Sequence, residues 1–123
     1  MRYVASREEM QQIDAYSINT MGIPGIVLME KAALALEEVF LERVSTKSHV
    51  LIVTEKGNNG GDGLALGRLL LEDGYNVDFY EIGAITHDSD SHQIQKKVLE
   101  QMEAQFLMEF PEEEYDVIVD AVF

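Results

Sequence analysis

The 123-residue sequence contains no cysteine and no tryptophan, and it has only two prolines and nine basic residues against 23 acidic ones. The lack of cysteine excludes disulfide bonds, thiolate metal sites and a cysteine nucleophile, and it is typical of a cytoplasmic protein. No apolar run approaches the roughly eighteen residues of a membrane span, and the N-terminus lacks the apolar core of a signal peptide. The composition therefore indicates an ordinary globular domain with no membrane segment.

The excess of acidic residues gives a formal net charge of −14 at pH 7. A surface of this charge repels nucleic acids and anionic membranes, so neither is an expected partner. It also repels a dinucleotide. Such a ligand would need a local positive field, supplied by backbone N–H groups, by a helix N-terminus or by a bound cation.

Hydrophobic periodicity and turn residues predict alternating helices and strands. Helices are predicted at about 7–20, 26–44, 62–73 and 91–102, and strands at 49–54, 76–82, 106–108 and 115–123. This alternation predicts an α/β fold in which helices cover both faces of a mostly parallel sheet. The chain stops directly after a strand, whereas the loops that follow strands carry the site in doubly wound sheets. We therefore expect a single domain over residues 1–123 that is incomplete at its C-terminus.

The segment Gly57–Gly63, rich in glycine and asparagine, lies between a predicted strand and a predicted helix. Its glycines permit positive φ and a bare backbone, so that successive N–H groups can converge on an anion at the helix N-terminus. Asp62 could cap the helix or point toward a ligand. The order of the glycines differs from the Rossmann fingerprint, and no Walker-type Gly-Lys-Ser/Thr follows. The alternative is a tight turn without a ligand, but the composition favours an anion-binding loop.

Asp120 stands at the end of the last apolar strand. A carboxylate in such a place is costly unless it is hydrogen-bonded or paired with a cation, which favours a role in a site. It could bind a metal ion, or it could act as a base in proton or water exchange. The alternative is that Asp120 only caps its own loop.

The remaining charged candidates are lysines and histidines. Lys56 lies in the glycine-rich loop and could meet a phosphate, whereas Lys31 is interpreted as a solvated surface residue. His49, His87 and His92 share no metal-ligand spacing, so we interpret them as structural or surface residues.

The segment Lys56–Leu64, followed by Arg68, resembles the G-x-G-N-N-G-G-D-G-L…A-R signature of the YjeF N-terminal family, the NAD(P)H-hydrate epimerases. Other parts of the chain resemble the opening helices of that family and its V-D-A-L-F-G segment, in the same order. These parts are Met10–Asp14, Gly22–Gly25, Leu28–Glu30 and Val119–Phe123.

The resemblance implies a Rossmann-like three-layer α/β/α fold, a homodimer, and epimerisation between the R and S forms of hydrated NADH and NADPH (NADHX and NADPHX). A separate or fused dehydratase would then restore the reduced cofactor. The residues implied to contact the substrate are Asn58, Asn59, Gly60, Gly61 and Asp62. Asn59 and Asp120 are implied to hold a potassium ion, and Asp120 is also the candidate catalytic residue. A hard cation with oxygen ligands is one form of the local positive charge that the acidic chain requires.

The sequence also departs from the family pattern. Glu55 stands where the loop usually begins with glycine, Lys31 replaces an asparagine, Ala33 replaces a glycine, and no G-x-G-L segment follows Phe123. Glu55 and the missing segment favour the alternative of a non-catalytic nucleotide-, protein- or RNA-binding module on the same fold, whereas the intact Asn58–Gly63 run and Asp120 favour the epimerase. A different phosphate-sugar enzyme on this scaffold is a third hypothesis.

Overall fold

The computed structural model describes residues 2–4, 22–56, 61–83 and 90–122. Within them, five strands alternate with three helices. The strands are β1 (Arg2–Val4), β2 (His49–Glu55), β3 (Asn76–Ile82), β4 (Gln105–Phe106) and β5 (Val117–Ala121), and the helices are α1 (Gly25–Arg43), α2 (Gly61–Glu72) and α3 (Asp90–Gln101). None of these helices combines the length and apolar composition that crossing a bilayer requires.

The strands form one sheet in the order β1-β5-β2-β3-β4, and every pair of neighbours is parallel. Val53 of β2 is in register with Asp120 of β5, and Thr54 is in register with Ala121. The carboxyl ends of β2 and β5 therefore lie side by side. The predicted α/β fold with a parallel sheet is confirmed.

Helix α2 forms the centre of the helical layer. It contacts β2, β3 and β5, while α1 and α3 pack against α2. Val50, Ile52 and Thr54 alternate along β2 and lie on the face toward α2. A side-chain atom added at Gly67 of α2 would contact Ile52, and one added at Gly63 would contact Thr54. The buried core joins these strands to the helices through Phe40, Val50, Ile52, Leu64, Leu66, Leu70, Val77, Phe79, Leu99, Val117 and Val119.

Most predicted elements form within one or two residues of the expected bounds. The strand predicted at 76–82 is β3, and the predicted helices at 26–44 and 91–102 are α1 and α3. The strand expected at 106–108 is only Gln105–Phe106. The helix predicted at 7–20 lies outside the described residues. Strand β1 was not predicted, because a three-residue edge strand depends on its pairing with β5 more than on its own pattern.

The amino end of the sheet is held together by polar side chains. Asp78 Oδ2 lies 2.9 Å from His49 Nε2 and accepts a hydrogen bond from the Tyr115 hydroxyl at 2.8 Å. The His49 N–H donates to Asp116 Oδ2 at 2.7 Å. Burial and the hydrogen bond with Asp78 raise the pKa of Tyr115. These bonds fasten the segment that precedes β5 to the start of β2, which gives His49 a structural role.

A carboxyl pair links α1 to the end of α2. Asp73 Oδ2 is buried. When Glu37 is ionised, Asp73 Oδ2 accepts no hydrogen bond from the described residues. A hydrogen bond between the protonated Glu37 carboxyl and Asp73 raises the pKa of Glu37 from 4.5 to about 7, and burial and the Asp73 charge add to the shift. The folded protein therefore retains this proton at a higher pH than the unfolded chain does.

We expect this pair to make stability fall as pH rises. Because the folded-state pKa of Glu37 is raised, its contribution is complete below pH 4.5 and is lost as pH approaches about 7. Glu37→Gln keeps a donor without the charge, so it should raise the unfolding free energy at pH 8 by about 1 kcal/mol, after allowance for solvent screening. Urea denaturation at pH 5 and pH 8 measures this change. Glu38→Gln, at an exposed neighbouring carboxylate, is the control, and equal effects of both variants would contradict the expectation.

Candidate functional site

The candidate site lies at the carboxyl edge of the sheet. Strand β2 ends at Glu55, which is in register with Ile82, and α2 begins at Gly61. Residues 57–60 between them lie outside the described part of the chain, so the roles of Asn58, Asn59 and Gly60 remain predictions. Three predicted site residues are described, and they are Gly61, Asp62 and Asp120.

Two glycines allow close packing at the start of α2. A methyl group on Gly63 would lie 2.9 Å from Ala121 Cβ and 3.0 Å from Thr54 Oγ1, and one on Gly61 would overlap the end of the Met29 side chain. The sequence suggested that these glycines allow positive φ, but Gly61 and Gly63 both have helical backbones. The absence of side chains instead lets α2 begin directly against the ends of β2 and β5.

Asp62 lies in the first turn of α2, where its charge complements the positive end of the helix dipole. It is half-buried and has a polar interaction within the protein. The predicted alternatives for Asp62, capping the helix or facing a ligand, are both compatible with this place in the helix.

Arg68 joins the three helices. Its guanidinium forms an ion pair with Glu30 of α1, bonds Glu72 of α2 at 3.1 Å, and donates from Nε to Gln95 of α3 at 3.3 Å. Only 14% of its side chain is exposed. Arg68 belongs to the signature that suggested the family, and its partners assign it to positioning α2 between its neighbours.

Asp120 is half-buried at the end of β5. Its Oδ1 atom accepts a hydrogen bond from the Val122 N–H at 3.3 Å, so the loop-capping alternative is realised. The carboxylate also lines a cavity of about 670 Å³ together with Val53, Ile82 and other residues of the same sheet face. Capping by one oxygen is compatible with a second role toward this cavity.

No cluster of three His, Cys, Asp or Glu residues able to hold a metal occurs in the described ranges.

A second cavity, of about 470 Å³, lies beyond the ends of β2 and β3. It is lined by Lys56, Glu81, His92, Gln93, Lys96, Lys97 and Glu100, and we refer to it as the basic pocket. Glu81 pairs with Lys96 and lies 3.4 Å from His92 Nε2. Sequence reasoning found Lys56 and missed Lys96 and Lys97. The available signal was a pair of lysines on the helix that follows β3.

Comparison with known proteins decides the family. A family model described as "YjeF-related protein N-terminus" matches residues 25–123. The chain belongs to this family. The match includes all three helices and every strand except β1, and it agrees with the resemblance seen in the glycine–asparagine segment.

The chain is also similar to curated proteins. One of them is an NAD(P)H-hydrate epimerase of Limosilactobacillus reuteri, 45% identical over 77% of this chain and 45% of that protein. A second NAD(P)H-hydrate epimerase, from Weissella koreensis, is 40% identical over 100% of this chain and 56% of its own length. The chain thus spans about half the length of the curated relatives it matches.

A solved structure supports the same fold. The crystal structure of the yeast protein ynu0 superimposes with a TM-score of 0.71 at 26% identity, and it covers 98% of this chain and 56% of the yeast chain. The Rossmann-like three-layer class expected for the YjeF-related family is confirmed by this similarity.

Proposed function

We propose that this protein interconverts the R and S forms of NADHX and NADPHX and so acts as an NAD(P)H-hydrate epimerase in nicotinamide cofactor repair. Membership of the YjeF-related family and the names of the curated relatives support the proposal. The structural observation that carries it is the junction at Gly63, where α2 begins against the ends of β2 and β5. Such a junction supports a ligand site shared by the glycine–asparagine loop and Asp120.

In this proposal the loop binds the phosphates of the substrate. Backbone N–H groups of Asn58, Asn59, Gly60 and Gly61 would converge on the phosphate oxygens, and the N-terminus of α2 would add its partial positive charge. Because the N–H groups and the helix N-terminus carry partial positive charge, they attract a dinucleotide that the acidic surface repels. Asp62 would orient the loop from the first turn of the helix.

Asp120 is the proposed catalytic residue. Inversion at the hydrated nicotinamide carbon requires a bond to that carbon to be broken and then remade on the opposite face of the ring. If the C–O bond breaks, the hydroxyl takes up a proton and leaves as water, and the water that adds to the opposite face releases one proton. A carboxyl group beside the ring can donate the first proton and accept the second. The half-buried position of Asp120 at the cavity edge supports this role.

Asn59 and Asp120 are also the proposed ligands of a potassium ion. Amide and carboxylate oxygens are the donors that a hard cation prefers, so the two residue types fit the ion. When bound, the ion would supply positive charge next to the phosphates. Main-chain carbonyl oxygens, which hard cations also accept as ligands, would complete the coordination.

We further propose a cytoplasmic homodimer that works with a separate or fused NAD(P)H-hydrate dehydratase. Helices α1 and α3 expose large apolar side chains, which supports self-association on this side of the protein. The exposed residues are Val27, Leu34, Leu41, Ile94 and Val98, each at least 36% accessible. The absence of cysteine suits the reducing cytoplasm.

The function is tested by a coupled assay. The protein, potassium and the R epimer of NADHX are mixed with a dehydratase specific for the S epimer, and NADH formation is followed by its absorbance. We expect NADH to form faster than spontaneous epimerisation allows. Nucleotide binding without acceleration would instead support the non-catalytic binding module. If the assay shows no acceleration and the protein binds no nucleotide, both the epimerase and the nucleotide-binding module are excluded.

A further inference from the structure

The basic pocket concentrates cations in an acidic protein. Three of the five lysines of the chain, Lys56, Lys96 and Lys97, line this one cavity. The Lys56 N–H donates to the carbonyl oxygen of Ile82 at 2.9 Å, which fixes the start of the glycine–asparagine loop beside the end of β3. Helix α3 forms the opposite wall. The pocket therefore adjoins the proposed phosphate loop.

The charge of the lining distinguishes the basic pocket from its neighbours. Its three lysines exceed its two glutamates, Glu81 and Glu100, by one positive charge. The cavity beside Asp120 has only that negative group, and the groove between α1 and α3 has two acidic and two basic groups. An anionic group of a ligand is thus best accommodated in the basic pocket.

Glu81 occupies an informative position in this pocket. It lies near the end of the strand that follows the loop and α2, where dinucleotide-binding units commonly carry an acidic residue that accepts the ribose 2′-hydroxyl and repels a 2′-phosphate. Here only 8% of the Glu81 side chain is exposed. One carboxylate oxygen pairs with Lys96 and the other lies near His92. The charge that would repel a 2′-phosphate is already compensated.

Lys96 is held in place by a second contact, since its Nζ lies 3.9 Å from the centroid of the Phe106 ring. Lys56 and Lys97 are exposed at the rim and are not needed to compensate Glu81. Both side chains are therefore accessible to a ligand that enters the basic pocket.

We propose that the basic pocket binds the 2′-phosphate on the adenosine ribose of the substrate, so that the protein prefers NADPHX to NADHX. This inference rests on the proposed function, because it assumes that the pyrophosphate lies on the glycine–asparagine loop. The phosphate would be bound by Lys56 and Lys97, with the charge of Glu81 compensated by Lys96.

The experiment compares two probes that differ by one phosphate group. Binding of 2′,5′-ADP and of 5′-AMP is measured by calorimetry at one salt concentration, and 2′,5′-ADP should bind at least about tenfold more tightly. Lys97→Gln should weaken 2′,5′-ADP by about threefold to tenfold and leave 5′-AMP unchanged. Lys47→Gln, at an exposed lysine between α1 and β2, is the matched control and should change neither affinity.

The outcomes separate this inference from the proposed function. Equal affinity for the two probes, or a Lys97→Gln variant that keeps the full preference, would overturn the 2′-phosphate site while leaving a nucleotide site at the loop. Binding of neither probe by the folded protein would contradict both proposals.

Discussion

Replacing Asp120 with asparagine is expected to slow NADHX epimerisation by about a hundredfold or more, the typical contribution of a positioned acid–base group. Asparagine has nearly the same shape and can still accept the hydrogen bond from the Val122 N–H. It cannot take up a proton, and its weaker negative charge reduces the attraction for potassium. The coupled NADHX assay measures the loss, and a potassium titration separates the two causes. Rescue by high potassium would assign Asp120 to ion binding, whereas a lower rate at saturating potassium would assign it to proton transfer.

The control for this variant is Glu112→Gln, which removes one exposed carboxylate from the segment that precedes β5. It should keep full activity. The unfolding free energy of Asp120→Asn should stay within about 1 kcal/mol of the parent, because the loop cap persists. Full activity of Asp120→Asn would exclude Asp120 as the acid–base residue and as a required potassium ligand.

Gly63→Val is expected to be the most damaging single change at the start of α2, with a loss of about 2 kcal/mol or more in unfolding free energy. The first side-chain atom would already lie 2.9 Å from Ala121 Cβ and 3.0 Å from Thr54 Oγ1. Both neighbours belong to central strands, which cannot move without disturbing the sheet, so the overpacking cannot relax cheaply. Urea denaturation measures the loss.

Gly61→Ala provides the comparison for this prediction. Its added methyl group overlaps the end of the Met29 side chain, and a methionine can adopt another rotamer at small cost. The variant also gains up to about 1 kcal/mol of helix propensity. We expect its stability to stay close to that of the parent, and a loss equal to that of Gly63→Val would contradict the distinction between a mobile neighbour and a rigid one.

The order of the elements could be predicted from the sequence because each is marked by local patterns. The run at 49–54 is short, apolar and β-branched, the strand at 76–82 carries Val77, Phe79, Tyr80 and Ile82, and the intervening helix is rich in leucine. Strand β1 has no comparable pattern and exists through its pairing with β5. Local sequence patterns therefore predicted most helices and strands. The edge strand β1 could be identified only from its tertiary contacts with β5.

The candidate site was predictable only in part, for a related reason. Asp120 was found because a carboxylate ending an apolar strand conflicts with its surroundings, which is a local signal. The contact of Gly61 with Met29 and the pairing of Arg68 with Glu30 join segments far apart in the chain. Lys97 on a helix surface gives no signal until the strand ends are placed beside it. Residues defined by their neighbours in space were therefore recognised only through family resemblance, or not at all.

The most direct test of a dinucleotide site at this edge of the sheet is a titration of the ¹⁵N-labelled protein with NADP⁺, followed by NMR chemical shifts of the backbone amides. We expect the largest shifts at Asn58–Asp62, whose main-chain N–H groups would hydrogen-bond the pyrophosphate, and around Asp120, which would lie beside the nicotinamide ring. Unchanged shifts at Asn58–Asp62 under saturating NADP⁺, or the largest shifts on the apolar surface of α1 and α3, would contradict the site.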